Sequence, residues 1–340
     1  MTIRGAAALL ITLASIGSAE AAEAKLIEAA RQEKVVTWYT SLVQNQVARP
    51  MAAAFEKKYP GITVQLVAGT VGELELKITE EARAHALRAD VHHGGGVTAD
   101  LIKAGLVEPY RPESAGDFPD AYKDPDGLWT AQVLNVLAPA VNTSLVKPAD
   151  IPKTYQDLLD PKWKGRIAWT TQMSQGGPPG FIGTILLSMG QDAGMAYLRK
   201  LAPQMVSVPT NQRVVLDQVI AGEYPLALAT FTHHSEISAA KGAPVRWLKL
   251  DPLTANMDPI FLLKGAPHPN AAKLFIDFVV SSEGQAVFRD AGYIPADPKV
   301  PAQVPGLKPE VGKFGIQMLS PQLVADHLAE WVGVYNELFR

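Results

Sequence analysis

Strand-like and helix-like segments alternate between residues 35 and 67, and this alternation limits the folds open to the chain. Residues 35–39 are β-branched or aromatic, 48–55 carry apolar side chains at helical spacing, and 62–67 again have the pattern of a strand. Pro50 lies in the predicted first helical turn, where a missing N–H costs least. Parallel strands need such a long crossover, so the spacing predicts two parallel strands joined by a helix.

The alternation continues along the chain and predicts an α/β fold whose polar loops gather at one sheet edge. Two proline-containing segments interrupt it: 109–128 is predicted to be irregular and 252–259 to be a linker. Residues 92–96 are predicted to be a loop. Further strands are predicted at 89–91, 134–141, 167–170, 226–230 and 245–250. Further helices are predicted at 71–87, 97–105, 180–189, 191–201, 213–221, 270–280 and 320–340.

The amino-terminal residues predict export. Arg4 precedes an apolar run over 6–16, and Ala19-Glu20-Ala21 is a small-residue cleavage pattern. This order is typical of a secretory signal peptide covering 1–21. No later stretch reaches the ~18 consecutive apolar residues that a membrane-spanning helix needs. We therefore expect cleavage after residue 21 and a mature protein that is free in the periplasm, without direct membrane insertion.

Composition excludes several classes of partner and chemistry. A chain of 340 residues with 47% hydrophobic side chains exceeds the size at which one core stops growing, so two lobes are expected. A net charge of -3 argues against nucleic acid or an anionic membrane as a partner. The absence of cysteine excludes disulfides, a thiol nucleophile, a thiolate metal site and a lipidated amino-terminal cysteine.

Three segments resemble a known family. Residues 54–61 (AFEKKYPG), 158–168 (LLDPKWKGRIA) and 275–285 (FIDFVVSSEGQ) are similar to segments of periplasmic solute-binding proteins of the ferric-iron-binding type. The matches keep the family's order and are spread over most of the predicted mature chain. The resemblance implies the solute-binding component of an ATP-binding-cassette (ABC) importer, without catalytic activity and without a resident cofactor.

The resemblance also implies the architecture. Family members have a type II periplasmic binding protein fold, in which two α/β lobes surround a ligand cleft, are joined by crossing hinge strands and close on one solute. The implied partners are a small-molecule ligand and the membrane permease of the importer, and we expect a monomer. The predicted organisation is a signal peptide at 1–21, a first lobe from 22–133 and 256–305, a second lobe at 134–255, and a helical segment at 306–340 packed on the second lobe.

One position departs from the pattern of the iron-binding members of the family. They place two adjacent tyrosines after the strand equivalent to 226–230, whereas this chain has Phe-Thr-His-His at 231–234. A tyrosine phenolate suits Fe(III) better than a neutral imidazole does. The departure therefore counts against ferric binding of the family's kind and leaves the predicted fold unchanged.

Four of the seven histidines form two adjacent pairs. His92 and His93 follow a predicted strand of the first lobe, and His233 and His234 follow one of the second. A ferric or divalent metal held by these four residues is the alternative ligand. Neighbouring residues on an extended segment point apart, so one histidine of each pair in the cleft is the simpler arrangement.

Hydroxyl and imidazole groups near predicted helix starts favour an anionic solute. Helix amino termini present free N–H groups and a positive dipole end, which suit phosphate or carboxylate, and an arginine adds bidentate contacts. Capping is the ordinary role of each serine or threonine, so the argument depends on convergence from both lobes. The predicted ligand-binding residues are Thr40, Ser41, Thr70, Glu73, His92, His93, Thr171, Ser174, Arg213, Thr232, His233 and His234.

A secreted hydrolase is the alternative from another class of function. The sequence holds no Gly-x-Ser-x-Gly elbow and no His-Glu-x-x-His pair, while a histidine-assisted reaction at Ser41 or Ser174 stays open. The patterns taken together predict a receptor that is not an enzyme. Its predicted ligand is a small anionic solute that carries a carboxylate or phosphate group.

Overall fold

A computed structural model describes residues 23–94, 98–173, 176–309 and 315–340. The predicted signal peptide at 1–21, the last two residues of the predicted 92–96 loop, and Ser174 lie outside the described residues. The helices are α1 (23–33), α2 (Arg49–Lys58), α3 (Val71–Arg83), α4 (Thr98–Lys103), α5 (Pro178–Met189), α6 (Gln191–Leu201), α7 (Gln212–Ala221), α8 (Thr232–Ala240), α9 (Pro269–Val280), α10 (Ser282–Asp290) and α11 (Pro321–Leu338). The strands are β1 (Val35–Thr40), β2 (Thr63–Ala68), β3 (Val91–His93), β4 (Val107–Glu108), β5 (Thr130–Asn142), β6 (Ile167–Thr170), β7 (Met205–Val208), β8 (Leu226–Phe231), β9 (Val245–Trp247), β10 (Leu253–Leu263), β11 (Ile294–Pro295) and β12 (Ile316–Leu319).

The strands form one continuous sheet with the order β2-β1-β3-β10-β5-β8-β6-β7. Pairing is parallel at both ends, between β1 and its neighbours β2 and β3 and between β6 and its neighbours β7 and β8. Pairing is antiparallel in the middle, where β10 and β5 lie between β3 and β8. Each parallel end with its helices is one lobe: β1–β3 belong to the first lobe and β6–β8 to the second.

The two lobes are connected through the long strands β5 and β10. Their register runs from Leu137 opposite Thr254 to Thr130 opposite Ile260, with an irregularity at Asp258 and Pro259. Every residue of β5 is buried, and so is every residue of β10 except Asp258. The prediction of a linker at 252–259 is wrong, because these residues form most of a central strand; the two prolines that suggested it lie just before the strand and at its irregularity, the positions a sheet tolerates.

Aromatic side chains build the core of the first lobe. Helices α2 and α9 pack together, and α9 packs on β1, while α3 also contacts β1. Trp38 on β1 meets Phe275 on α9 with ring centroids 5.0 Å apart, and Phe55 on α2 lies 5.1 Å from the same ring. All three side chains are fully buried. This packing assigns Trp38 to the core rather than to a ligand site.

The carboxy-terminal helix α11 packs on α5 of the second lobe and also contacts α4. Trp331 of α11 is 1% exposed and lies against Gly183 of α5, where a Cβ would come within 2.6 Å of the indole ring. After the helix ends, Phe339 meets Trp169 of β6 at a centroid distance of 4.7 Å. These contacts fix the last helix on the face of the sheet that carries Trp169.

The predicted helices and strands agree with the structure in type at nearly every position, and two segments near the predicted site differ in addition to 252–259. Residues 92 and 93 are the last two residues of β3 rather than the start of a loop. Residues 233 and 234 lie in the first turn of α8, which begins at Thr232. The first difference shifts a predicted strand by two residues, and the second adds a helix for which no range was predicted.

A buried carboxylate on α3 leads to a prediction about stability. Glu75 is 8% exposed, and its Oε1 has no hydrogen-bond partner among the described residues. Burial, with a contribution from the charge of Asp100, raises the pKa of Glu75 to about 7. A folded pKa above the unfolded value gives stability that is present at low pH and is lost as the pH rises through 7. Glu75→Gln should therefore raise the free energy of unfolding by about 2–3 kcal/mol at pH 8 and leave it unchanged near pH 4.

Urea denaturation at the two pH values measures this effect. Glu80→Gln on the same helix is the matched control, because Glu80 is exposed and its replacement should change stability by less than ~0.5 kcal/mol. A gain for Glu75→Gln of the same size at pH 4 and pH 8 would show that the buried charge is not its source.

Candidate functional site

The sheet register brings the ends of strands from both lobes to the middle of β5 and β10. In the first lobe, β3 ends at His93, which lies opposite Ile260 of β10. In the second lobe, β8 ends at Phe231, which lies opposite Leu137 of β5. The stretch of crossing strand between these two levels, around Asn256, is the floor of the cleft between the lobes. Ligands of α/β proteins bind at such carboxyl ends of strands.

The amino terminus of α8 carries unsatisfied polar groups at the edge of this floor. Thr232 is fully buried and Ser235 is 1% exposed, yet neither hydroxyl has a hydrogen-bond partner among the described residues. The residue before the helix is Phe231, whose side chain makes no capping hydrogen bond. Buried hydroxyl groups are rarely left unpaired. Together with the free N–H groups of the first helical turn, they form a site that suits an anion.

Two neutral histidines complete this turn. Burial lowers the pKa of His233 well below its usual range, and the neighbouring His234 adds to the shift. Burial also lowers the pKa of His234 to about 4, with a further contribution from the charge of Arg213. The Nδ1 atoms of both rings have no hydrogen-bond partner among the described residues. A neutral imidazole can present Nδ1–H to an acceptor, so both rings can donate to an anion without carrying charge.

Polar side chains share one face of the crossing strands. Asn135 of β5 lies directly opposite Asn256 of β10, and Asp258 follows two residues later on the same side of its strand. The Nδ2 atom of Asn135 donates to Oδ1 of Asp258 at 3.0 Å. Burial raises the pKa of Asp258 to about 6, and the hydrogen bond from Asn135 opposes this shift. The floor of the cleft therefore holds two amides and one carboxyl group.

His93 reaches this floor from the first lobe. Its ring is 3% exposed, and the amide nitrogen of Gln132 donates to Nδ1 at 2.6 Å. The remaining nitrogen, Nε2, then carries the proton and lies 3.9 Å from Oδ2 of Asp258. Burial lowers the pKa of His93 to about 3, so the imidazole is neutral and the contact with Asp258 is not an ion pair at neutral pH.

Gly176, shortly before α5, borders the site on the side of the second lobe. A Cβ at Gly176 would lie 3.3 Å from Nε2 of Gln212, 3.5 Å from the ring of Phe231 and 3.8 Å from Nδ2 of Asn256. The amide of Gln212 donates to the carbonyl of Gly176. The absence of a side chain at 176 thus lets the backbone of Gly176 approach the floor and the start of α8 closely.

Several predicted ligand-binding residues of the first lobe have local partners instead. Thr40 is buried at the end of β1, and its hydroxyl accepts a hydrogen bond from the N–H of Leu42. Ser41, the next residue, is half-buried. Thr70 and Glu73 form a capping box at the start of α3, and the hydrogen bonds from Thr70 lower the pKa of Glu73. These contacts assign helix capping to Thr70 and Glu73 in this structure.

Two predicted ligand-binding residues of the second lobe also have local partners. Thr171 follows β6, is half-buried and donates its backbone N–H to Val208. Arg213 pairs with Asp217 one turn further along α7 and donates to the hydroxyl of Ser238 at 3.0 Å. Its guanidinium group is therefore engaged beside α8 rather than free in the cleft.

In the alternative metal site, the rings of His233 and His234 are in contact, with centroids 4.4 Å apart, whereas the rings of His92 and His93 are separated. His92 and His93 are successive strand residues, so their rings lie on opposite faces of the sheet. Nδ1 of His92 lies 3.0 Å from the carbonyl oxygen of Tyr39, and its ring packs edge-on against Phe261. Within the described residues, no group of three or more histidine, aspartate or glutamate side chains is placed to hold a metal ion.

The cleft also contains residues that the sequence analysis did not select. They are Gln132, Asn135, Gln212, Asn256, Asp258 and Tyr293. A signal for four of them exists in the sequence: Gln132 and Asn135 interrupt an otherwise apolar strand, and Asn256 and Asp258 do the same in the next long one. Buried amides and carboxyl groups in a central strand need partners, so they mark a site.

A model of the family described as bacterial extracellular solute-binding protein matches residues 88–312. The chain belongs to this family. Its members are receptors for small molecules that work with ABC permeases and have no enzymatic activity. The predicted resemblance is thereby confirmed at the level of the family.

Curated relatives of this solute-binding protein have different ligands in their names. Iron uptake protein A1 of Synechocystis sp. is 27% identical over 274 residues, which cover 75% of this chain and 73% of the relative. A candidate 2-aminoethylphosphonate-binding periplasmic protein of Salmonella typhimurium is 29% identical over 235 residues, 67% of each chain.

Solved structures of similar proteins confirm the fold of the solute-binding protein. The periplasmic binding protein AfuA of Actinobacillus pleuropneumoniae, solved with fructose-6-phosphate, has a TM-score of 0.72 and 24% identity, and the match covers 89% of this chain and 99% of AfuA. Iron-bound HitA of Pseudomonas aeruginosa has the same TM-score at 22% identity, with the same coverage. The predicted type II architecture with two α/β lobes around a cleft is confirmed. None of the helices among the described residues has the length and hydrophobicity that crossing a membrane requires.

Proposed function

We propose that this solute-binding protein captures a small solute with a phosphate, phosphonate or carboxylate group in the cleft between its lobes. The observation that carries the proposal is the set of unpaired groups at the start of α8. A helix amino terminus alone would be an ordinary feature, but here Thr232 and Ser235 are buried without partners and two neutral histidines stand beside them. An anion would supply the missing acceptors and would complement the helix dipole.

The unpaired hydroxyl groups and a nearby positive charge favour an oxyanion over a metal cation in this turn, whereas a neutral imidazole can serve either one, as a hydrogen-bond donor or as a metal ligand. Burial keeps His233 and His234 uncharged, and the positive charge of Arg213 lies close enough to influence His234. Asp217 offsets part of this charge, and the remaining positive charge attracts an anion and repels a cation. The ligands named for some relatives and neighbours, an aminoalkylphosphonate and a sugar phosphate, have an oxyanion in common and support this choice.

The proposal extends to the setting in which the protein works. We propose that the mature chain is a periplasmic monomer, exported by a signal peptide at 1–21, and that it delivers its solute to the membrane permease of an ABC importer. The proposed organisation is a first lobe of 22–133 and 256–305, a second lobe of 134–255, and a carboxy-terminal segment of 306–340 on the second lobe. Closure of the lobes on the solute would give the permease a shape to recognise.

Removing one hydroxyl from the proposed anion site should weaken binding. Thr232→Val keeps the side-chain shape and deletes a donor, and a hydrogen bond to a charged group contributes ~1.5–3 kcal/mol. We expect about a ten- to hundredfold loss of affinity for the tightest ligand in a panel of phosphate monoesters, alkylphosphonates and di- and tricarboxylates. Isothermal titration calorimetry measures the affinities, with ferric citrate included as the metal probe.

Thr79→Val is the matched control for this substitution. Thr79 lies on α3, and its hydroxyl donates to the backbone carbonyl of Glu75 within the same helix, so its loss should leave the affinity unchanged. Equal affinity of Thr232→Val and the wild type would remove the start of α8 from the site. Binding of ferric citrate with no binding of any metal-free anion would overturn the proposed function itself.

A further inference from the structure

Asp258 is the one residue of β10 that is not fully buried, and it lies in the middle of the cleft floor. Its side chain is 20% exposed, whereas Met257 before it and Ile260 two residues after it are 1% exposed. Its position next to the irregularity between β5 and β10 leaves the carboxyl group accessible from the cleft. A carboxyl group held at this depth must be solvated by protein groups, by water or by a ligand.

The protein itself satisfies this carboxylate only in part. Oδ1 accepts one hydrogen bond from Asn135, and the neutral ring of His93 stays 3.9 Å from Oδ2. Within the described part of the chain, neither a lysine nor an arginine lies within ion-pair distance of Asp258. A carboxylate can accept about four hydrogen bonds, so Asp258 has unused acceptor capacity and an uncompensated charge.

Tyr293 connects Asp258 with the proposed anion site. Its ring stacks on His233 of α8, with a centroid distance of 5.1 Å and an angle of 30° between the planes. Burial raises the pKa of Tyr293 to about 12, and the nearby charge of Asp258 contributes to the shift. The same tyrosine is thus adjacent to the start of α8 and to the carboxyl group. A solute of a few bonds' length in this space would meet donors at one end and an acceptor at the other.

We infer that the solute is zwitterionic, with an ammonium group that pairs with Asp258 and an oxyanion held at the start of α8. This inference rests on the proposed function and narrows its substrate class to amino-substituted phosphonates, phosphates or carboxylates. An ammonium group offers three donors and a positive charge, which match the acceptor capacity and the charge of Asp258. A plain anion would place a second negative charge near the carboxylate and would leave it unpaired.

Three probes that differ at one position test the inference: ethylphosphonate, 2-hydroxyethylphosphonate and 2-aminoethylphosphonate. Calorimetry at pH 8 should show the amino compound bound by the wild type at least tenfold more tightly than the other two, because a charge-assisted hydrogen bond is worth ~1.5–3 kcal/mol. Asp258→Asn should abolish this preference, because the amide carries no charge to pair with the ammonium group. Asp126→Asn, a change at an exposed turn, should preserve the preference.

The outcomes distinguish a failure of the zwitterion inference from a failure of the proposed function. Equal binding of ethylphosphonate and 2-aminoethylphosphonate by the wild type would overturn the zwitterion and leave the anion site in place, and this comparison needs no variant. Equal binding of the hydroxyl and amino compounds would assign a hydroxylated solute instead. An equal loss for all three probes in Asp258→Asn would make Asp258 a structural residue. Failure of every anion in the earlier panel would overturn the proposed function first.

Discussion

The free energy of unfolding of this protein is expected to fall by about 4 kcal/mol between pH 7 and pH 5. The cause is a group of histidines that are buried in their neutral form: burial lowers the pKa of His92 and His234 to about 4 and that of His93 to about 3, and it lowers the pKa of His233 as well. A folded pKa below the unfolded value of 6.5 gives stability that is present at neutral pH. That stability is lost as the pH falls, because only the unfolded chain takes up the protons.

Buried carboxyl groups with a raised pKa oppose this loss, among them Asp277. Burial raises the pKa of Glu75 to about 7 and that of Asp258 to about 6, so the folded state gains protons at these groups before the unfolded state does. Near pH 5 the unfolded chain therefore binds about two more protons than the folded chain in total, which corresponds to a slope of ~2–3 kcal/mol per pH unit. Urea denaturation at intervals between pH 7 and pH 5 gives this slope directly.

A histidine variant tests whether the pH dependence of the free energy of unfolding comes from the buried histidines. His92→Asn keeps a donor for the carbonyl of Tyr39, which Nδ1 of the histidine contacts at 3.0 Å, and it cannot titrate. We expect the variant to lose about 2 kcal/mol less than the wild type between pH 7 and pH 5, whatever its stability at pH 7. His85→Asn, at an exposed position with positive φ, is the control and should keep the slope of the wild type. An unchanged slope in His92→Asn would contradict the assignment.

Truncation of Trp331 to alanine is expected to cost about 3–5 kcal/mol, the range for a buried tryptophan. Its indole is 1% exposed and lies on Gly183 of α5, so that the helix surface and the ring leave no room for a Cβ. Loss of the ring would leave a cavity between α11 and α5 that the rigid helices cannot fill. Thermal and urea denaturation measure the cost.

Two glycine-to-alanine variants test whether the stability comes from the contact between α11 and α5. Gly183→Ala puts a methyl group where the indole lies and should cost about 1–3 kcal/mol, whereas Gly333→Ala on α11 meets nothing within 4 Å and should gain about 0.4–1 kcal/mol. The same substitution would then have opposite signs on two helices that face each other. A stabilising Gly183→Ala would show that α11 is not seated on α5 as described.

The sequence predicted the α/β class because each parallel end of the sheet is built from local strand–helix–strand units. The segment 35–67 is the clearest case: β1 and β2 pair in parallel over their full length, with α2 as the crossover. The crossing strand β10 was missed for a physical reason. Its partners β3 and β5 are far away in the sequence, and the two prolines at its start and irregularity resemble those of a loop. A pairing between distant segments leaves little trace in local composition.

Only the part of the candidate site at the start of α8 could be predicted from the sequence. Thr232, His233 and His234 were selected because they follow a predicted strand, and the structure places them together with unpaired polar atoms. Asp258 and Asn135 meet only because β5 and β10 run antiparallel in one specific register. Helix caps such as Thr70 look the same in sequence as ligand-binding threonines, since both use a hydroxyl next to a helix start.

The sheet order has a consequence for how the protein is made. Strand β10 lies between β3 and β5, so a growing chain that has been synthesised only as far as β9 cannot close its sheet. The edge of β3 then stays open, with unpaired N–H and C=O groups that can join a strand of another molecule. Carboxy-terminal truncations before Leu253 are therefore expected to aggregate, and the emerging polypeptide depends on protection until the last quarter of the chain arrives.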